Sequence, residues 1–256
     1  MKKTLFLLLL AVCSLSVFGQ LKVDHSVSPP SITFPGDIDV IGDESTHGEM
    51  DITGGTAYTI NTTNVWHAYT GFSSGHLSTK ITFAAGKTAS DITVMATYDA
   101  GVTTKITATA AHGLTAGQVI TITGTTNYNN IYEVLESVDA NNFTIDKAWD
   151  TNNDATGTYA LGSHFIIGTD AAGEYLVQWT AGGSAIAADT YEFGMYHEKT
   201  LDHKTPRKFP NNDVGAWAGC GIITVSDTDV IWFAVINTTG TNNIDIDEIQ
   251  FVIHKL

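Results

Sequence analysis

After its first twenty residues the chain has almost no helical periodicity. β-branched and aromatic residues instead alternate with polar ones in short runs, interrupted by Gly, Asn, Asp and Thr. Apolar residues at every second position suit a strand with one buried face, whereas a surface helix needs them three and four apart. The pattern therefore restricts the chain to an all-β fold. Its strongest strands are Ile81 to Phe83, Ile92 to Ala96, Val119 to Ile122, Tyr175 to Trp179, Tyr191 to Tyr196, Val230 to Ile236 and Ile249 to Ile253. In YLVQW, Tyr175, Val177 and Trp179 share one face while Leu176 and Gln178 take the other, as in a sheet packed on one side. The run DVIWFAVIN is apolar on both faces. It belongs at a sandwich centre or a subunit interface, because an exposed apolar strand invites aggregation. Trp179 and Trp232, set inside these strands, are expected in the core or at an interface.

The first residues read as a secretory leader: Lys2 and Lys3, an apolar stretch from Leu5 to Val12, and a cleavage site at Val17-Phe18-Gly19, so the mature chain is expected to start near Gln20. Later hydrophobic stretches are strand-length, and no membrane span is expected. Cys13 suggests a lipid-modified cysteine, but Val12 precedes it where such processing wants a small residue. Loss of residues 1 to 19 removes two of the 12 basic side chains and leaves 10 against 27 acidic ones, a formal charge of −17. Such a surface repels nucleic acid, whose binding needs clustered Lys and Arg. The short basic group His203, Lys204, Arg207 and Lys208 reads as a solvated loop. Cys220 is the one cysteine left after processing, so no internal disulfide forms, and its setting in GAWAGCGIITV predicts a buried thiol.

Residues 20 to 47 contain Pro29, Pro30 and Pro35 and are expected to be an extended arm. Within it, Ser31 to Phe34 is the segment suited to pairing with a neighbouring subunit's sheet edge, a floppy terminus being the alternative. Residues 101 to 161 read as an inserted unit of five or six short strands, enough for a small barrel, with Gly113, Gly117 and Gly124 where hairpins want positive φ. The pattern HGLTAGQVITITGTTNYNNIYEV followed by NNFTI closely resembles a small barrel of bacteriophage structural proteins, related to the barrel beside the first catalytic half of ubiquitin-activating enzymes. That resemblance brings no catalytic role, since residues 101 to 161 hold no cysteine and the barrel is not the catalytic part of those enzymes.

The flanking segments, 48 to 100 and 162 to 256, are similar to the tumour necrosis factor and complement-globular-head jelly roll. The similarity is carried by the order of strands, by the Gly173-Glu174-Tyr175 turn into a strand, and by the Asp229 turn before a long hydrophobic one. It implies a jelly-roll β-sandwich with the small β-barrel inserted in an inter-strand loop, and a homotrimer with aromatic residues at its three-fold axis.

Catalytic templates mostly fail: no G-x-S-x-G occurs and no Cys/His pairing surrounds Cys220. A pair of glycosidase carboxylates stays open, because its required spacing is spatial. Asp150, Asn152 and Asp154 alternate as in a calcium loop, and calcium is the cofactor they would admit. Ala155 nevertheless replaces the needed glycine and Leu161 stands where the bidentate acid belongs, so an ordinary Asn/Asp turn is the competing reading. His197, Glu198, Asp202 and His203 lack zinc-ligand spacing and read as an exposed hairpin. In NIDIDE, Ile244 and Ile246 point inward and Asp245, Asp247 and Glu248 outward. Trp149, Trp66, Tyr69 and Trp217 are candidates for a sugar platform, with core packing as the alternative for each. Trp149 stands out beside the polar turn of KAWDTNND. The chain is thus expected to be a secreted, non-enzymatic, trimeric binding or adhesion module for a glycan or protein on another surface. A structural subunit of an extracellular fibre or phage-like appendage is the alternative, and a secreted hydrolase the third reading.

Overall fold

The structure, a computed structural model, describes residues 22–24, 31–33 and 46–256, apart from 61, 152–155, 186 and 211–212. The chain divides into two units, Met1–Ser45 and Thr46–Leu256. In the first, β1 (Lys22–Asp24) and β2 (Ser31–Thr33) pair antiparallel, with Val23 opposite Ile32. The segment expected to pair with a neighbouring subunit therefore finds its partner in its own chain. Two strands this close in sequence close a loop at small entropic cost.

The second unit opens with β3 (His47–Tyr58), β4 (His67–Ala68), β5 (Ser73–Leu77) and β6 (Ile81–Ala84). Six strands follow: β7 (Lys87–Tyr98), β8 (Thr103–Ala108), β9 (Val119–Thr123), β10 (Asn130–Ser137), β11 (Asn142–Ile145) and β12 (Thr158–Leu161). It ends with β13 (His164–Ile167), β14 (Gly173–Ala185), β15 (Thr190–His197), β16 (Thr200–Lys208), β17 (Asp213–Val225), β18 (Val230–Asn237) and β19 (Ile244–Lys255). A six-stranded sheet, ordered β16-β15-β18-β13-β6 with β4 also paired to β18, and a five-stranded one, β17-β14-β19-β3-β5, make a jelly-roll sandwich, and β10-β11-β8-β7-β12-β9 close into a barrel.

Alternation builds the sandwich core as the sequence leads one to expect. Tyr175, Val177 and Trp179 of β14 meet Phe193, Phe233 and Phe251 between the sheets. β18 is the central strand of its sheet, and its two apolar faces serve two different cores. Ile231, Phe233 and Val235 face the sandwich interior, while Trp232 and Ala234 join Val119 of the barrel in a separate cluster with Ala68 and Tyr196. The cover over the second face is the inserted barrel.

The barrel takes in more chain than the segment 101–161. β7 pairs with β12 on one side and with β8 on the other, so the barrel closes only through a strand that starts at Lys87. Ile92 and Met95 of β7 accordingly lie in the barrel core with Ile106, Ile120 and Phe143. A two-residue period marks a strand without saying which sheet it joins, which is why the boundary drawn at Gly101 falls short. The chain leaves the sandwich at β6 and returns at β13, and these two strands pair from Ala84–His164 to Ile81–Ile167. The barrel therefore hangs from a single inter-strand connection whose ends lie side by side. At that neck Gly86 donates to Ser163 Oγ at 3.0 Å, and a Cβ on Gly86 would lie 2.7 Å from the Leu161 carbonyl.

Local turn chemistry secures the barrel. Gly113, Gly117 and Gly124 all have positive φ. At the first of these turns His112 Nδ1 accepts from Leu114 N–H at 2.9 Å, so its Nε2 carries the hydrogen and donates to the Asp139 carbonyl at 2.7 Å.

The buried thiol expected at Cys220 is not found: Cys220 is exposed. On β17 the inward positions are Trp217, Ile223 and Val225 together with glycines, so the intervening small residues, Cys220 among them, face outward. Small size let the cysteine be read as core, but its parity on the strand decides its side.

Candidate functional site

The structure separates the four aromatic candidates. Trp217 is an interior residue, 6% exposed, stacked on Phe193 with centroids 4.1 Å apart. Trp149 is half-buried against the barrel core and stacks at 6.4 Å on Tyr128, over whose ring Lys147 also lies. Trp66 packs edge-on against Tyr196 at 5.5 Å in the cluster between barrel and sandwich. Trp217 also borders an open cavity of about 670 Å³ on the β17-β14-β19-β3 sheet, and Tyr69 lines a larger cleft of about 850 Å³ where the barrel meets the sandwich. Volumes of roughly 300–1,000 Å³ at the junction of two modules are typical of small-molecule sites.

One wall of the cleft comes from the sandwich. Tyr58 ends β3, Ser73 and Ser74 begin β5, and His67, Tyr69 and Thr70 lie on the segment between. The opposite wall is the outer face of three barrel strands, with Thr88 and Ala89 from β7, Thr121 and Thr123 from β9, and Thr158 and Ala160 from β12. β9 has no exposed residue: Ile120 and Ile122 enter the barrel core, while Thr121 and Thr123 turn toward the sandwich. Ala68 N–H donates to Thr121 Oγ1 at 3.3 Å and Gly124 N–H to Thr62 Oγ1 at 2.9 Å, tying the walls together at the base.

The lining is close to neutral. Tyr58 and Tyr69 sit with ring centroids 4.8 Å apart, and the Tyr58 hydroxyl donates to the Ala68 carbonyl. Burial pushes the Tyr69 phenol up to about 12, and it raises Tyr58 as well, helped by the neighbouring Tyr69. Burial also lowers His67 to about 4, against a weaker pull upward from the Thr62 carbonyl 3.4 Å from Nε2, so this imidazole is uncharged at neutral pH. Among the described residues Asp51 is the one carboxylate lining the cleft, and no Lys or Arg lines it. Chemically, the arrangement offers hydroxyl groups, two phenols and small apolar patches.

The candidate ion ligands do not converge. Asp150 is exposed, and Asn152 and Asp154 lie outside the described residues. His197 Nε2 sits 2.7 Å from Asp229 and its Nδ1 3.7 Å from Asp202. Glu198 turns to accept from Val230 N–H at 2.7 Å; burial raises its carboxyl and the hydrogen bond opposes that rise. His203, half-buried on the edge strand β16, lays its ring against Gly221 of β17. Beside them Lys199 pairs with Asp146 and Glu133 of the barrel, so the β15–β16 turn is a strut between the modules. Among the described residues no group of three or more His, Cys, Asp or Glu is placed to hold a metal ion.

Sequence reasoning missed Tyr58, His67, Ser73, Ser74 and Thr88. His67 and Thr70 stand beside Trp66 and Tyr69 in the run NVWHAYT, which was the available signal. Nothing in the sequence marks Thr88, whose role depends on where the barrel docks. No protein-family model matches the chain, and no curated protein matches it either.

Proposed function

We propose that the chain is an exported, non-enzymatic recognition module that presents the barrel–sandwich cleft to a glycan or protein on another surface. The observation that carries this reading is the cleft itself, a sizeable opening with a polar, nearly neutral lining built by both modules. The two facing sheets support the likeness to tumour necrosis factor and complement-head jelly rolls, and the closed barrel supports the likeness to phage structural barrels. Mature chain from Gln20 is expected to be retained on an array of extracellular glycans and proteins. Thr88 is exposed, so Thr88→Trp fills the cleft without touching a core; it should weaken retention at least tenfold with Tm unchanged. No retention on any surface would overturn the reading.

Self-association is favoured by the outer face of β17. Val214 is 71% and Ile222 57% exposed, and the exposed Ala216, Ala218 and Cys220 lie between them on the same face. Such an apolar row on an edge strand calls for cover. Strand addition at this edge is hindered, because Thr205 Oγ1 and Arg207 Nη1 already donate to the Ala218 and Ala216 carbonyls. A closed face-to-face assembly, a trimer in our reading, is therefore preferred to a fibre. The inward aromatics Trp179, Trp217 and Phe251 lie in the core of each protomer, so the β17 row, rather than those rings, is the contact we assign. Cys220 reports on it: its thiol should be protected from maleimide in a compact assembly of fixed mass and fully reactive in monomeric Ile222→Asp. Open-ended growth would favour the structural-subunit reading, and a monomer with reactive Cys220 would remove the assembly altogether.

A further inference from the structure

We infer that the cleft selects an uncharged saccharide, held between the hydroxyls of the sandwich edge and the barrel face; this rests on the recognition-module reading above. Thr59, Thr70, Ser73, Ser74 and Thr88 line the cleft at exposed or half-exposed positions, and none of their hydroxyls is hydrogen-bonded to another described residue. Other hydroxyls at the same junction are occupied: Thr121 accepts from Ala68 N–H, and Thr123 pairs with Thr158 at 3.2 Å. The cleft thus sorts its hydroxyls into a structural set at the base and an available set at the mouth.

A free Ser or Thr hydroxyl donates once and accepts twice, as a sugar hydroxyl does. Several such groups around one opening suit a ligand that offers many hydroxyls in fixed directions. Tyr58, Ala89 and Ala160 add apolar surface for the C–H face of a pyranose ring.

Charge decides which saccharides are accepted. A carboxylate or sulfate sugar needs Lys or Arg to form the strong charge-assisted bonds that repay its desolvation, and among the described residues neither lines the cleft. His67 is neutral and buried, so it does not substitute. Asp51 and a chain with a formal charge of −15 add repulsion. A basic sugar meets one carboxylate only, which leaves the neutral hexose oligosaccharides as the class that fits.

The test is calorimetric titration of the mature chain with neutral oligosaccharides of glucose, galactose and mannose, and with the same backbones carrying sialic acid, uronate or sulfate. Binding of a neutral oligosaccharide, at least tenfold tighter than its charged counterparts, is expected. The double variant Ser73→Ala, Ser74→Ala should reduce it at least tenfold with the melting temperature unchanged, and Thr88→Trp should abolish it. Equal or tighter binding of the acidic sugars would overturn the selection while leaving a recognition module. Retention on proteins without binding of any sugar would overturn the saccharide and spare the module, and failure on every surface would overturn both. Neutral sugar bound equally by wild type and all variants would place the site elsewhere and overturn the proposal.

Discussion

Gly219→Ala is expected to destabilise the sandwich by about 3 kcal/mol, at the upper end of what overpacking a core costs. A Cβ at this position of β17 would fall inside the indole of Trp179 and 2.6 Å from Thr205 Oγ1. Trp179 has nowhere to go: it is 1% exposed and packs edge-on to Phe233 at 6.1 Å. Gly215 and Gly221 share the inward side of the strand, but the atoms a Cβ would meet there belong to the ends of the Arg207 and His203 side chains. Both can swing aside, so alanine at either position should cost distinctly less. Chemical denaturation followed by tryptophan fluorescence checks the ranking. A loss below about 1 kcal/mol at Gly219, where overpacking ordinarily costs more, would mean that the sheets separate more easily than their packing indicates.

The second large effect is expected at the junction. Trp232→Ala should remove about 3–5 kcal/mol of packing, the usual cost of truncating a buried tryptophan. Its ring stacks on Tyr196 at 4.5 Å, its Nε1 donates to the Glu198 carbonyl at 2.8 Å, and it clusters with Val119 of the barrel. Trp232 also lines a smaller cavity of about 270 Å³ against the Thr115–Gln118 turn, which the substitution would enlarge. Because the lost contacts lie between the two hydrophobic cores, calorimetry should show barrel and sandwich melting separately. Protease should then cut near Gly86 and Gly162. The control is Ile106→Ala, which removes a side chain wholly inside the barrel core and should lower the barrel's stability without opening the neck. A single transition at the wild-type midpoint for Trp232→Ala would show that the neck and the Lys199 strut suffice to hold the modules together.

Both predictions depend on a feature that strand patterns carry only halfway. In VIWFAVIN the double apolar face announces that both sides are covered, and they are. What covers the second side is a barrel whose residues are contiguous in sequence with neither β18 nor β15. The same gap explains the candidate site. Tyr69 was legible as a possible ligand contact, and its neighbours His67 and Thr70 follow it into the cleft. Thr88 and Thr158 look like any strand threonine until the barrel is set against the sandwich. Trp217 and Trp149 illustrate the converse: an aromatic beside small or polar residues says little about exposure, since the first stacks inside the sandwich and the second closes the barrel end.

Local physics was fully written in the sequence: the two-residue period that makes the chain all-β, the inward face of YLVQW, and the positive-φ turns at Gly113, Gly117 and Gly124. These depend on residues a few positions apart, and a strand or turn answers to its own side chains. Tertiary structure alone decided that β7 belongs to the barrel, that Cys220 faces outward, and that hydroxyls from β5 and β7 share one cleft. Each of those outcomes is a choice of sheet, face or neighbour among strands with the same alternation. Only long-range packing of two cores against each other distinguishes the choices, because a periodic pattern is unchanged when its partner is exchanged.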